Sequence, residues 1–133
     1  MYLSRRIEWR GKSRDMVGAI PADTVVEERP QGRGYMLVGE TAGHPWPQPV
    51  RAGAGGVAEV PVHEFHYAGL HGLADEPVFA FRVKRGNGID GSHDGLVIDN
   101  LLAGFGHHRN TAANPWVERF VAFVRDKSGP RQG

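Results

Sequence analysis

The run His63-Glu64-Phe65-His66-Tyr67 sets two imidazoles, a carboxylate and a phenol within five consecutive residues. Imidazole exchanges protons near neutrality, and a neighbouring carboxylate can orient it, so the chemistry that suits such a run is general acid–base work. The run follows Val57, Val60 and Val62, a β-branched spacing that predicts a strand. On a strand alternate side chains share a face, which puts His63, Phe65 and Tyr67 on one side and Glu64 with His66 on the other. Glu64 and His66 then form either a polar pocket floor or an ordinary solvated sheet face. A second polar cluster comes later in the chain: Asp94-Gly95, Asn100, and Gly106-His107-His108.

Several chemistries fit these residues poorly. The chain has 133 residues and no cysteine, so disulfides, cysteine-zinc sites and an internal cysteine nucleophile are excluded. Of the seven histidines, His63, His66 and His71 lie closest in sequence, but an i,i+3 pair on a strand points to opposite faces, and no metal site is expected. Gly86-Asn87-Gly88-Ile89-Asp90-Gly91 matches the dinucleotide fingerprint letter by letter. The turn-forming Ser92-His93-Asp94-Gly95 follows it, where that motif requires a helix N-terminus for the pyrophosphate, so no nucleotide site is expected there. A net charge of +1 with 23% charged residues offers no electrostatic case for nucleic acid or an anionic membrane. There is no apolar run of membrane-spanning length and no signal-like N-terminus, which leads to the expectation of a cytoplasmic chain.

The elements that must position these residues are mostly short strands, as 19 Gly and 9 Pro imply. Leu3 and Ile7 fall at helical spacing, so Met1–Arg10 reads as the last turns of a helix ended near Gly11. Strands are expected over Thr24–Glu28, Tyr35–Val38, Val57–Tyr67 and Val78–Lys84, with a Gly- and Pro-rich loop over Gly39–Gly56 that tucks in Trp46. Leu96–Phe105 is an apolar run. Asn114-Pro115 opens a helix to Asp126, with Asn114 as N-cap and Val117, Phe120, Val121 and Val124 on one apolar face. Residues 128–133 form a frayed tail, and 1–133 a single domain.

Three segments in register resemble one family. Glu28-Arg29-Pro30-Gln31-Gly32-Arg33-Gly34-Tyr35, then His63–Tyr67, then Asp94-Gly95, Asn100-Leu101-Leu102-Ala103 and Phe105-Gly106-His107 are similar to the C-terminal glutaminase part of cobyrinic acid a,c-diamide synthase. That family consists of ATP-dependent amide synthases with a class I-type glutamine amidotransferase domain. Glu8-Trp9-Arg10-Gly11 and Gly88-Ile89-Asp90-Gly91 resemble a branch associated with sirohaem amidation in sulfur-oxidising bacteria. Ala68 and Phe105 stand where the family usually has Ser and Tyr, and the spacing from Arg109 to Asn114 looks one residue longer than usual.

The resemblance implies an α/β fold: the C-terminal half of a flavodoxin-like glutaminase domain, rich in short strands with one C-terminal helix. It implies His107 as the general acid/base for a cysteine that relatives carry just before a Met-Tyr-Leu sequence, and this chain begins Met1-Tyr2-Leu3. Glu64, His66 and His108 are its supporting candidates; Arg29 and Gln31 fix a loop. Glutamine and a tetrapyrrole would be the substrates, and ATP with Mg²⁺ would belong to an N-terminal synthetase domain outside this sequence, so no cofactor is expected in this chain. A chain with an incomplete sheet is expected to self-associate and to be inactive alone. The alternative is a non-enzymatic module that binds a tetrapyrrole or a partner through the surface around His63–His71.

Overall fold

The computed structural model describes residues 1–49, 58–73 and 75–129. It is a strand-rich α/β fold: two sheets and a single C-terminal helix among the described residues. Strands β1 (Ser4–Trp9), β2 (Lys12–Asp15), β3 (Ile20–Val26) and β6 (Ala68–His71) make the smaller sheet in the order β2-β1-β3-β6. The larger sheet has the order β10-β5-β4-β7-β8-β9, built from β4 (Gly32–Glu40), β5 (Glu59–His66), β7 (Val78–Arg85), β8 (His93–Ile98), β9 (Leu101–Ala103) and β10 (Gly106–His107). Among the described residues every strand pairing is antiparallel except β1 with β3, the parallel contact that suits an incomplete flavodoxin-like sheet. The region 50–57, which includes part of the expected Gly-rich loop and Val57, lies outside the described residues, as does the tail from 130 to 133.

The N-terminal expectation is corrected. Residues 4–9 form strand β1, not the end of a helix, because backbone pairing to β2 and β3 outweighs the i,i+4 spacing of Leu3 and Ile7. The buried anchor there is polar: the Ser4 hydroxyl donates to the carbonyl of Met1 at 2.6 Å and accepts from the Thr24 hydroxyl at 2.9 Å. Arg10 and Gly11, both at positive φ, turn β1 into β2.

Two apolar clusters hold the layers. Met36, Val38, Val60, Val62, Ala80 and Phe81 form the core of the larger sheet. Ile20, Ala22 and Leu96 join the two sheets, with Leu3, Leu70 and Phe79 packed around them. Helix α1 (Trp116–Ser128) begins two residues later than expected and buries none of its residues fully. Asn114 does not cap it, because the Asn114 side-chain oxygen accepts from Arg119 instead. Its Phe120 and Phe123 rest on Trp46, with ring centroids 5.0 and 5.3 Å apart. No helix among the described residues is long and apolar enough to cross a membrane.

Candidate functional site

Strand β5 sorts its chemistry between two faces as the alternation requires: Val60, Val62 and Glu64 are buried, while His63 and Phe65 are exposed. Cross-strand register then builds a row on each face. Tyr35 of β4 lies opposite His63, and His63 lies opposite His107 of β10. Directly paired residues share a face, so Tyr35, His63 and His107 line up across three strands on the exposed side. Their rings touch in sequence, with centroids 6.1 Å apart for Tyr35–His63 and 5.8 Å for His63–His107.

On the other face the row is Gly34, Glu64, Gly106. The room for the buried carboxylate comes from Gly32 and Gly86, since a Cβ on Gly32 would sit 2.6 Å from Glu64 Oε2. The loop after β7 fills that room: the backbone N–H of Asn87 donates to Oε1 at 2.9 Å and that of Gly88 to Oε2 at 3.0 Å. Thus the Gly86-Asn87-Gly88 sequence does build an anion cradle, and the anion in it is the chain's own Glu64. A Cβ on Gly86, whose φ is +116°, would sit 2.7 Å from Glu64 Oε1. His66 lies on the same side, its Nδ1 donating to the carbonyl of Ala68 at 2.9 Å. That bond leaves Nε2 facing Glu64 Oε2 at 3.6 Å. The Phe105 ring stacks on His66 with centroids 3.8 Å apart, the contact made at the position where the resembled family usually has Tyr.

Asp94, fully buried in β8, ties this region to β10. Its Oδ1 accepts the N–H of Phe105 at 3.0 Å and its Oδ2 the N–H of Gly106 at 2.9 Å. Burial raises its pKa, against the lowering effect of the N–H groups of Phe105, Gly106 and Gly95.

His108, the residue after β10, takes the opposite side from His107. It packs on Phe81 with ring centroids 4.7 Å apart, in a cavity of about 390 Å³ bounded by His44, Asp94 and helix α1. Burial, with neighbouring His44, depresses its pKa from 6.5 to about 4, so it is a neutral imidazole at pH 7. His44 shifts the same way, chiefly through burial, and its Nδ1 accepts the N–H of Trp46 at 3.1 Å. Beside it Glu40 and Arg119 form a buried ion pair at 2.8 Å.

The structure therefore brings Glu64 and His66 together and separates them from His107, which shares the exposed face with His63. His108 belongs to a third place. His71 lies in the smaller sheet, and no group of three or more His, Cys, Asp or Glu converges among the described residues. Gln31 holds the loop before β4, its N–H donating to the carbonyl of His66 at 2.8 Å and its Nε2 to that of Arg29 at 3.1 Å. Sequence reasoning missed Glu40, His44 and Arg119. Only Arg119, a lone polar residue among the apolar positions of the helix, carried a local signal.

No protein-family model matches the chain. Among curated proteins, it is 37% identical over 96% of its length to a cobyrinate a,c-diamide synthase of Magnetococcus marinus. Proteins of the same name from Halobacterium salinarum and Archaeoglobus fulgidus are each 36% identical, over 86% and 91% of the chain. The chain spans about a quarter of these relatives, 26%, 23% and 25% of their lengths.

Proposed function

Since the chain belongs to the cobyrinate a,c-diamide synthase family, we propose that it is the glutaminase portion of an ATP-dependent, glutamine-hydrolysing amide synthase. The observation that carries this reading is the match along nearly the whole chain to relatives of that name. In it, His107 takes the proton of a cysteine thiol, the thiolate attacks the side-chain carbonyl of glutamine to form a thioester, the proton leaves with ammonia, and water then hydrolyses the thioester to glutamate and the free thiol. Ammonia then displaces the activating group from a tetrapyrrole carboxylate, either corrin or sirohaem.

The position of His107 supports this role. It sits on strand β10, at the end of the larger sheet among the described residues, with its ring on the exposed face. His63 and Tyr35 flank it, and the Asp94 bonds to Phe105 and Gly106 fix the backbone that carries it. Glu64 and His66 support it indirectly, by closing the opposite face. The Asn87 and Gly88 N–H groups, which would suit a phosphate, already hold Glu64, so this loop offers them to no nucleotide.

The 133 residues contain no cysteine and are expected to release no measurable ammonia from glutamine. Removing the nucleophile from a triad-type site costs on the order of 10⁶ in turnover. The decisive experiment uses a form of the enzyme that carries the cysteine and the synthetase domain. There His107→Ala should abolish amidation driven by glutamine and leave amidation driven by free ammonia intact. Retained glutamine-dependent activity in His107→Ala, with loss in His108→Ala, would transfer the role to His108.

A further inference from the structure

Two imidazoles stand side by side on the exposed face of the larger sheet. His63 of β5 and His107 of β10 are direct cross-strand partners, and such pairs hold their Cβ atoms about 4.5 to 5.5 Å apart. The two ring centroids lie 5.8 Å apart, with the planes tilted by 46°. On the other side of His63, Tyr35 packs edge-on at 6.1 Å and limits how far that ring can swing. His44, His66 and His93 each commit a ring nitrogen to a hydrogen bond. His63 and His107 make no such bond among the described residues, and both are exposed, so their nitrogens are open to a ligand from solvent.

Two imidazoles that turn nitrogen lone pairs toward one point chelate a metal ion. A ring nitrogen binds Zn²⁺ at about 2.0 to 2.1 Å, so two imidazoles on one tetrahedral ion have centroids roughly 5 Å apart. The observed 5.8 Å closes to that value by small rotations of two side chains at the surface. The paired strands already set the backbone spacing, which leaves only the rings to be ordered. Strand alternation keeps His66 off this face, and the fold supplies the second nitrogen from β10 instead. The nearest carboxylates are committed elsewhere, Glu64 to Asn87 and Gly88, and Asp94 to Phe105 and Gly106. A ligand set of two imidazoles and no carboxylate selects the ion. Mg²⁺ and Ca²⁺ need oxygen ligands, whereas imidazole suits Zn²⁺, Ni²⁺ and Cu²⁺.

We propose that His63 and His107 form a two-histidine site for a divalent transition-metal ion of the Zn²⁺ class. One consequence rests on the glutaminase reading: a metal on His107 occupies the lone pair that accepts the thiol proton, so the ion holds the base inactive until a chelator removes it. The site itself stands without that reading, because the two rings and their spacing belong to this chain.

The test is a titration of the ¹⁵N-labelled 133-residue chain with Zn²⁺ at neutral pH, read from the imidazole resonances by NMR. Saturable changes are expected at His63 and His107 together, with the buried rings of His44 and His108 unmoved and no response to Mg²⁺. His63→Gln and His107→Gln should each weaken Zn²⁺ at least about tenfold, since even the loss of an outer partner of a metal ligand costs that much. Both positions are exposed, so the amide spectrum should keep its dispersion, and His71→Gln should bind as the unaltered chain does. Three results would overturn the proposal: no saturable change at His63 and His107, Zn²⁺ binding undiminished in both variants, or an equal response to Mg²⁺. In a form of the enzyme that carries the cysteine, Zn²⁺ should suppress glutamine-driven amidation less in His63→Gln than in the unaltered enzyme. Equal suppression there would overturn the regulatory consequence, and the binding titration alone decides the site.

Discussion

The carboxylate of Asp94 accepts the backbone N–H of Gly106 at 2.9 Å, so a buried side chain of β8 holds the residue immediately before His107. A second bond, from the N–H of Phe105 at 3.0 Å, makes the grip two-pronged. Asp94→Asn exchanges one acceptor for a donor and sets it against a backbone N–H. The variant should lose about 1 to 3 kcal/mol in urea denaturation. Its Phe105 and Gly106 amides should exchange with deuterium faster than those of β4.

Stability should fall on acidification partly because of His108. Its folded-state pKa is depressed from 6.5 to about 4, so its contribution is fully present above pH 6.5 and is lost as pH falls from 6.5 toward 4. The expected loss is up to about 3 kcal/mol, and His44 works in the same direction. Asp94, with its pKa raised, opposes them, since it favours the fold increasingly as pH drops. His108→Leu should therefore show a shallower decline than the unaltered chain when unfolding free energy is measured from pH 7 to pH 4.

Two glycines at positive φ should respond differently to alanine. Gly86→Ala brings a Cβ to 2.7 Å from both Glu64 Oε1 and Met36 Cγ, and should cost about 2 to 3 kcal/mol. Gly91→Ala meets nothing within 4 Å and has only its φ of +84° to overcome, about 1 kcal/mol. Paired denaturation curves measure the difference, and equal losses would refute the cradle around Glu64.

Helix α1 depends on Trp46 from outside its own sequence. The indole packs on Phe120 and Phe123, and the Trp46 carbonyl accepts from Arg119 at 2.7 Å. Trp46→Ala should remove about 2 kcal/mol of docking energy and let the helix unwind for tryptic cleavage at Arg119, Arg125 and Lys127. Limited proteolysis should then remove the helix from the variant before it cuts the sheets.

Where the chemistry is local, the sequence was legible. Period-two alternation correctly divided β5 between a face with His63 and a face with Glu64 and His66, because strand geometry leaves no other arrangement. The helix itself was legible from its apolar spacing, but not the face it docks: Val117, Phe120, Val121 and Val124 all stay more than a third exposed, and Phe123 joins Phe120 on Trp46. Its start was not legible either, because Arg119 uses the oxygen of the capping candidate Asn114. β1 was misread because its buried anchor is Ser4, and a polar anchor leaves no hydrophobic period to follow. The partners of Glu64 and Asp94 are backbone N–H groups brought in by the fold from distant loops, and residue types cannot announce such bonds.

Among the described residues strand β10 is two residues long and lies at the end of its sheet, paired on one side with β5. Strands that are short and paired on one side peel away at a fraction of the global unfolding free energy. Asp94 supplies the second hold, so the segment that carries the His107 imidazole can open only when that buried carboxylate lets go of Phe105 and Gly106. The pairing of β10 with β5 also spans a long stretch of intervening chain, so during folding this strand closes late, after the hairpins beside it have formed.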